Sequence, residues 1–201
     1  MTKIKICGMM RKEDIEAVNE ALPDYIGFIL HFEKSRRNVS VDAAREMRSL
    51  LRREILPVGV FVDQPVEVIE QAARTISLSV IQLHGREDED TIRAVKDATG
   101  LPVWKAFRVQ SPEDLERAAQ SPADEVLLDN GYGTGHLFDW SLTTGFTRPF
   151  MLAGGLTPEN IPDAIERLRP RLVDLSSGVE TDGAKDPEKI LAAVRAVRAA
   201  R

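Results

Sequence analysis

The chain has 201 residues, 43% hydrophobic and 29% charged, with a formal net charge of −5 and one cysteine. A negative net charge with dispersed Lys and Arg excludes a nonspecific nucleic-acid binder, and no apolar stretch approaches the ~20 residues of a membrane helix. A single cysteine excludes an internal disulfide and, with no apolar signal core at the N-terminus, fits a reducing cytoplasm.

Short apolar runs alternate with longer stretches of helical periodicity. Lys3–Cys7 precedes Arg11–Ala21, Tyr25–Leu30 precedes Val41–Leu51, and Pro57–Val62 precedes Pro65–Arg74. Val80–Leu83 precedes Asp88–Thr99, and Pro102–Phe107 precedes Pro112–Ala119. Glu125–Asp129, Phe150–Ala153 and Leu172–Leu175 complete the set. Proline followed by acidic residues marks helix starts at Pro65, Pro112, Pro158 and Pro187.

Runs that are apolar throughout, each followed by a helix, indicate a parallel sheet covered on both faces. Eight units of about 25 residues predict an α/β fold, a (β/α)8 TIM barrel near the lower length limit of ~200 residues. The absence of a Ser/Gly-rich, Pro-rich or low-complexity linker predicts one domain over residues 1–201. An open doubly wound sheet is the alternative. It usually has fewer strands and carries a glycine fingerprint after the first, where Gly8 stands alone here.

A barrel places its active site at the C-terminal ends of the strands and often binds phosphate in the loops after strands seven and eight. Gly154-Gly155 follows run seven and leads into Leu156-Thr157-Pro158-Glu159, read as the start of a helix. Ser176-Ser177-Gly178 follows run eight in the same manner. Glycines let backbone N–H groups approach an anion, so Gly154, Gly155, Ser177 and Gly178 are the candidate phosphate contacts.

Cys7 ends run one. A thiol there is either a small buried hydrophobe or a catalytic base, and Lys5, on the same strand face, would favour the thiolate over the thiol of pKa about 8.5. Asp129 ends run six, where burial would raise its pKa and keep a proton available. Asp174 has the same placement in run eight. His84, directly after run four, is either a polar wall of the site or a local structural group. Arg36 and Arg37 follow run two, and the residues alone leave open which of them meets a carboxylate or phosphate. His31, His84 and His136 lack metal-ligand spacing, so no metal site is expected.

Taken in order, these segments resemble the phosphoribosylanthranilate isomerases of tryptophan biosynthesis along nearly the whole chain. The matching motifs are Lys5-Ile6-Cys7-Gly8, Gly27-Phe28-Ile29 with Ser35-Arg36-Arg37, Val58-Gly59-Val60-Phe61-Val62 and Gln82-Leu83-His84-Gly85. They continue through Leu127-Leu128-Asp129, Gly133-Thr134-Gly135 with Phe138-Asp139-Trp140, Leu152-Ala153-Gly154-Gly155-Leu156 and Asp174-Leu175-Ser176-Ser177-Gly178-Val179-Glu180.

The resemblance implies an isomerase performing an Amadori rearrangement of N-(5′-phosphoribosyl)anthranilate to 1-(2-carboxyphenylamino)-1-deoxyribulose 5-phosphate. It assigns the general base to Cys7 and the general acid to Asp129. It matches Arg37 to an arginine that meets the substrate and Asp174 to a carboxylate near the anthranilate nitrogen, with His84 a further substrate-binding residue. It implies a phosphorylated small-molecule substrate and no metal or organic cofactor; composition is what points to a cytoplasmic protein without a nucleic-acid or membrane partner, and a monomer or homodimer is expected. Three departures stand out. Arg36 replaces a common proline, Tyr132 replaces the first glycine of a Gly-Gly-Thr-Gly loop, and Thr181–Lys185 is slightly shorter than usual. The related barrel isomerases of histidine biosynthesis resemble a pair of catalytic aspartates, one of them where this chain has Cys7. A non-catalytic barrel that binds a phosphorylated ligand is the remaining alternative, opposed by the retention of both acid and base candidates.

Overall fold

Eight strands close on themselves in a computed structural model that describes residues 1–129, 140–143 and 145–200. They are β1 (Lys3–Cys7), β2 (Tyr25–Leu30), β3 (Leu56–Phe61) and β4 (Val80–Leu83), followed by β5 (Val103–Arg108), β6 (Glu125–Asp129), β7 (Phe150–Leu152) and β8 (Leu172–Leu175). Each pairs in parallel with its sequence neighbours, and β1 pairs with both β2 and β8, which closes the barrel. The open-sheet alternative fails on that last pairing.

The alternation of the strands explains their apolar composition. Cys7, Tyr25, Val58, Val60, Val80, Trp104, Ala106, Leu127, Met151, Ala153 and Leu172 form one buried cluster inside the barrel. The residues between them, such as Ile4, Ile6, Phe28, Phe61, Ile81, Val126 and Val173, face the surrounding helices and belong to a second, larger core. Both sides of each strand are therefore covered, and no polar alternation is left to read in the sequence.

Seven α-helices occur among the described residues: α1 (Lys12–Ala21), α2 (Val41–Leu50), α3 (Val66–Ile76), α4 (Glu89–Thr99), α5 (Pro112–Gln120), α6 (Ile161–Leu168) and α7 (Pro187–Ala199). Local chemistry sets their ends. The side chains of Ser40, Asp88 and Asp186 accept from the first free N–H groups of α2, α4 and α7. Between β6 and β7, the described residues form only a 3₁₀ turn, Trp140–Thr143. No helix among the described residues is long and apolar enough to cross a membrane.

Two of the four proline start signals need correction. Pro65 is the cap of α3 rather than its first residue. The start read at Pro158 lies three residues early: α6 begins at Ile161, with Pro162 in its first turn. Asn160 explains the shift. Its Oδ1 accepts from Thr157 N at 2.9 Å and its Nδ2 donates to Gly155 O at 3.0 Å, which holds residues 157–160 as a turn.

Candidate active site

All strands are parallel, so the residues that end them gather at one mouth. Cys7 ends β1, Asp129 ends β6, His84 follows β4, and Asp174 points inward from β8 beside Lys5, its register partner on β1. The sequence-derived candidates on the described residues are thereby brought to one end of the barrel. The Gly133-Thr134-Gly135 and Phe138-Asp139 matches, Tyr132 and His136 lie outside the described residues.

Two polar clusters occupy the mouth. In the first, the fully buried Lys5 puts its Nζ 2.6 Å from Asp174 Oδ2. Gly27, the register partner of Cys7, leaves the space: a Cβ there would stand 2.8 Å from Cys7 Sγ and 3.0 Å from Lys5 Cε. Burial pushes the Cys7 thiol above its ordinary pKa, against the pull of the Lys5 ammonium. Burial also works against the charge on Lys5. Asp174 and Cys7 outweigh it, and the Lys5 pKa rises above the usual lysine value.

The second cluster centres on Asp129. His84 Nε2 lies 3.3 Å from Asp129 Oδ2, and Gln82 Nε2 lies 3.0 Å from His84 Nδ1. Gln82 and Asp129 thus bracket the His84 ring, one at each nitrogen. Gln82 is an inward-facing residue that the sequence offered only as part of a motif.

Arginines of the loop after β2 converge on a residue to which the sequence assigned no role. Glu180 accepts from Arg37 Nε at 2.7 Å and Nη2 at 2.9 Å, from Arg36 Nη2 at 2.6 Å and from Lys185 Nζ at 2.8 Å. Burial pushes the Glu180 carboxyl up, yet the hydrogen bonds and charges of Arg37 and Lys185 prevail and bring it down to about 2. The Arg37 side chain is 11% exposed and lies over Gly8, where a Cβ would meet Arg37 Cδ at 2.5 Å. Arg36 is 59% exposed but, contrary to a simple surface arginine, it is also held by Glu180.

The signal for Glu180 was in the sequence. Glu180–Thr181 and Ala184–Lys185 pair antiparallel, and Asp182 and Gly183 between them both have positive φ, at 52° and 81°. Asp-Gly between two short extended segments is the strongest short hairpin signal, and its register sets Glu180 directly opposite Lys185.

The loops after β7 and β8 touch. Gly154 and Gly155 have φ of 93° and 67°, which glycine alone adopts readily. Gly178 packs so closely that a Cβ would stand 1.8 Å from the Leu156 carbonyl oxygen. Among the described residues the N–H groups of Gly154, Gly155 and Ser177 donate to no protein acceptor. Ser177–Val179 is a 3₁₀ turn rather than the start of an α-helix.

Asp63, at the end of β3's turn, belongs to a structural lattice instead. Its Oδ1 accepts from Arg86 N, while Glu87 accepts from Asp63 N and Gly85 N and pairs with the buried Lys105 at 3.2 Å. No group of three or more His, Cys, Asp or Glu that could hold a metal ion occurs among the described residues.

The family model for N-(5′-phosphoribosyl)anthranilate (PRA) isomerase matches residues 4–196. A relative named N-(5′-phosphoribosyl)anthranilate isomerase, from Thermoanaerobacter sp. (strain X514), is 45% identical over 208 residues, covering 100% of both chains. Crystallised monomers derived from the dimeric phosphoribosylanthranilate isomerase of Thermotoga maritima superpose with a TM-score of 0.88 at 36% identity, covering 99% of this chain and 100% of theirs. A phosphoribosyl anthranilate isomerase in complex with reduced 1-(o-carboxyphenylamino)-1-deoxyribulose 5-phosphate gives 0.88 at 36% identity, covering 98% of this chain and 99% of its own.

Proposed function

The chain belongs to the N-(5′-phosphoribosyl)anthranilate isomerase family of tryptophan biosynthesis, and from that premise we propose that Cys7 is its general base and Asp129 its general acid. The substrate is a phosphorylated small molecule. The reaction is an Amadori rearrangement, an internal redox shift in which an aldose amine becomes a ketose amine.

Two proton movements are required. Asp129 protonates the furanose ring oxygen, and the ring opens to a Schiff base. Cys7 then removes the C2′ proton, giving an enolamine that tautomerises to the ketone. The observation that carries the assignment is the pairing of environments at the mouth. Cys7 stands beside the ammonium of Lys5, which opposes the rise that burial imposes on the thiol, and Asp129 ends β6 largely buried, its carboxyl positioned by the His84 ring 3.3 Å away.

The remaining roles follow the same geometry. Asp174 Oδ1 is buried without a partner and is available to the substrate's amino group. Arg37 turns its Nε and one Nη edge to Glu180, and its remaining donors meet the anthranilate carboxylate. His84 bounds the site at Asp129. The N–H groups of Gly154, Gly155 and Ser177, which donate to no acceptor among the described residues, receive the phosphate, with Gly178 beside them.

We further read residues 1–201 as one catalytic domain, cytoplasmic, monomeric or homodimeric, with no nucleic-acid or membrane partner and no cofactor. The deciding experiment follows the fluorescence of phosphoribosylanthranilate with purified protein. Turnover is expected, and a folded protein that leaves the substrate unconsumed would overturn the reading.

A further inference from the structure

Gly27 opens a gap in the inner wall of the barrel, and β1 fills it with two groups at once, the stem of Lys5 and the thiol of Cys7. The lysine reaches on to Asp174 Oδ2, while Asp174 Oδ1 is buried and unpartnered. A buried ion pair is a weak source of stability, and one with an unmet oxygen is weaker still. Its placement between a thiol and an open carboxylate oxygen makes better sense as part of the chemistry.

We propose that the Lys5–Asp174 pair is a positioning device that sets the protonation state of Cys7, with the Lys5 ammonium held between carboxylate and sulfur and leaning to the sulfur once a substrate N–H occupies Asp174 Oδ1. The inference rests on the reading of Cys7 as the base. In the step it serves, the thiolate takes the C2′ proton and becomes a thiol. The C–H electron pair becomes the C1′–C2′ double bond of the enolamine, and the iminium nitrogen accepts the displaced pair. Lys5 keeps its own protons throughout and contributes charge alone.

Among the described residues, the charged groups around the sulfur fit this balance. Burial raises the thiol pKa and Lys5 opposes it; Asp174 adds to the rise, and Lys185 opposes it more weakly. Arg37 also faces Cys7, but both it and Lys185 are bound to Glu180, which leaves Lys5 as the cation whose partner the substrate can take away.

The sole cysteine makes the test direct. Labelling with [13Cβ]cysteine gives one resonance, whose titration reports Cys7 in the substrate-free protein. Lys5→Met is expected to raise the midpoint by about one pH unit or more, and Asp174→Asn to lower it by a similar amount. A merely structural pair would not move the midpoint in opposite directions. An unchanged or reversed shift in either folded variant overturns the proposal. Should Lys5→Met fail to fold with Asp174 unpaired, Asp174→Asn decides by itself. Turnover by Cys7→Ser tests the base assignment separately: near-normal activity there would remove Cys7 as base without altering what the titration says about Lys5.

Discussion

Arg37 and Glu180 meet edge to edge, Nε to Oε1 at 2.7 Å and Nη2 to Oε2 at 2.9 Å. The contact ties the loop after β2 to the hairpin after β8. Because β1 lies between those two strands, the bridge passes over the end of β1, above Gly8 and next to Cys7. A planar, bidentate pair of this kind fixes the orientation of the guanidinium as well as its place.

That geometry distinguishes the two arginines. Arg37→Ala is expected to lower kcat/KM about ten- to hundredfold, the scale of a lost charge-assisted hydrogen bond of roughly 1.5–3 kcal/mol. Arg36→Ala removes a mostly exposed charge and is expected to change kcat/KM by less than about fivefold. Steady-state kinetics on both variants at one salt concentration check this. A damaging Arg36→Ala beside a silent Arg37→Ala would exchange their roles.

Glu180 carries a pH signature. Its pKa of about 2 in the folded chain lies below an unfolded value of about 4.3, so ionised Glu180 stabilises the fold above that value. The contribution is complete above pH 4.3 and is lost as pH falls through about 2. Glu180→Gln is expected to unfold more easily at pH 7, by roughly 3 kcal/mol, with the deficit narrowing between pH 4.3 and 2. Denaturant titrations across that range read the gap. A deficit independent of pH would show that charge is not its source.

Cys7→Ser and Asp129→Asn are each expected to lose about 10²–10⁴-fold in kcat while keeping the circular dichroism of the parent. His84→Gln is expected to lose about tenfold in kcat with KM little changed if His84, which touches the carboxylate of Asp129, serves to orient it. A rise confined to KM would make His84 a substrate contact instead.

Gly178 is constrained by packing before any ligand arrives. Gly178→Ala would drive a methyl into the Leu156 carbonyl, and the relaxation is expected to cost about 1–3 kcal/mol of stability. Because Leu156 follows Gly154-Gly155, the same movement spreads the loops after β7 and β8 apart and, on the proposed phosphate role of those loops, is expected to raise KM. Inorganic phosphate is expected to inhibit the parent competitively and the variant less. An unchanged Tm would show that the contact relaxes freely, and non-competitive inhibition would move the anion site elsewhere.

The strands were legible because a doubly covered parallel strand is apolar along its whole length. Five of the eight, β1, β2, β4, β6 and β8, begin and end where composition alone put them, and the other three differ by one residue at one or both ends. The start of α2 after its Ser40 cap was legible, the helix read from Asp88 begins one residue later with Asp88 as its cap, and the start at Pro158 failed because the Asn160 side chain holds a turn first. The positions of Cys7, Asp129 and Asp174 at one mouth followed from strand direction, which a parallel topology imposes.

Their partners did not follow. Lys5 meets Asp174 only because β1 pairs with β8 at closure, 169 residues away in sequence. Glu180 meets Arg37 across 143 residues, and His84, after β4, meets Asp129, at the end of β6, over the strand that lies between them. Local periodicity and capping are properties of neighbouring residues, so the sequence by itself determined the elements, their order and the ends at which chemistry gathers. Barrel closure is a long-range pairing: it put Asp174 beside Lys5 and Glu180 beside Arg37, whereas Lys5 beside Cys7 and Lys185 beside Glu180 are neighbours within one strand and one hairpin.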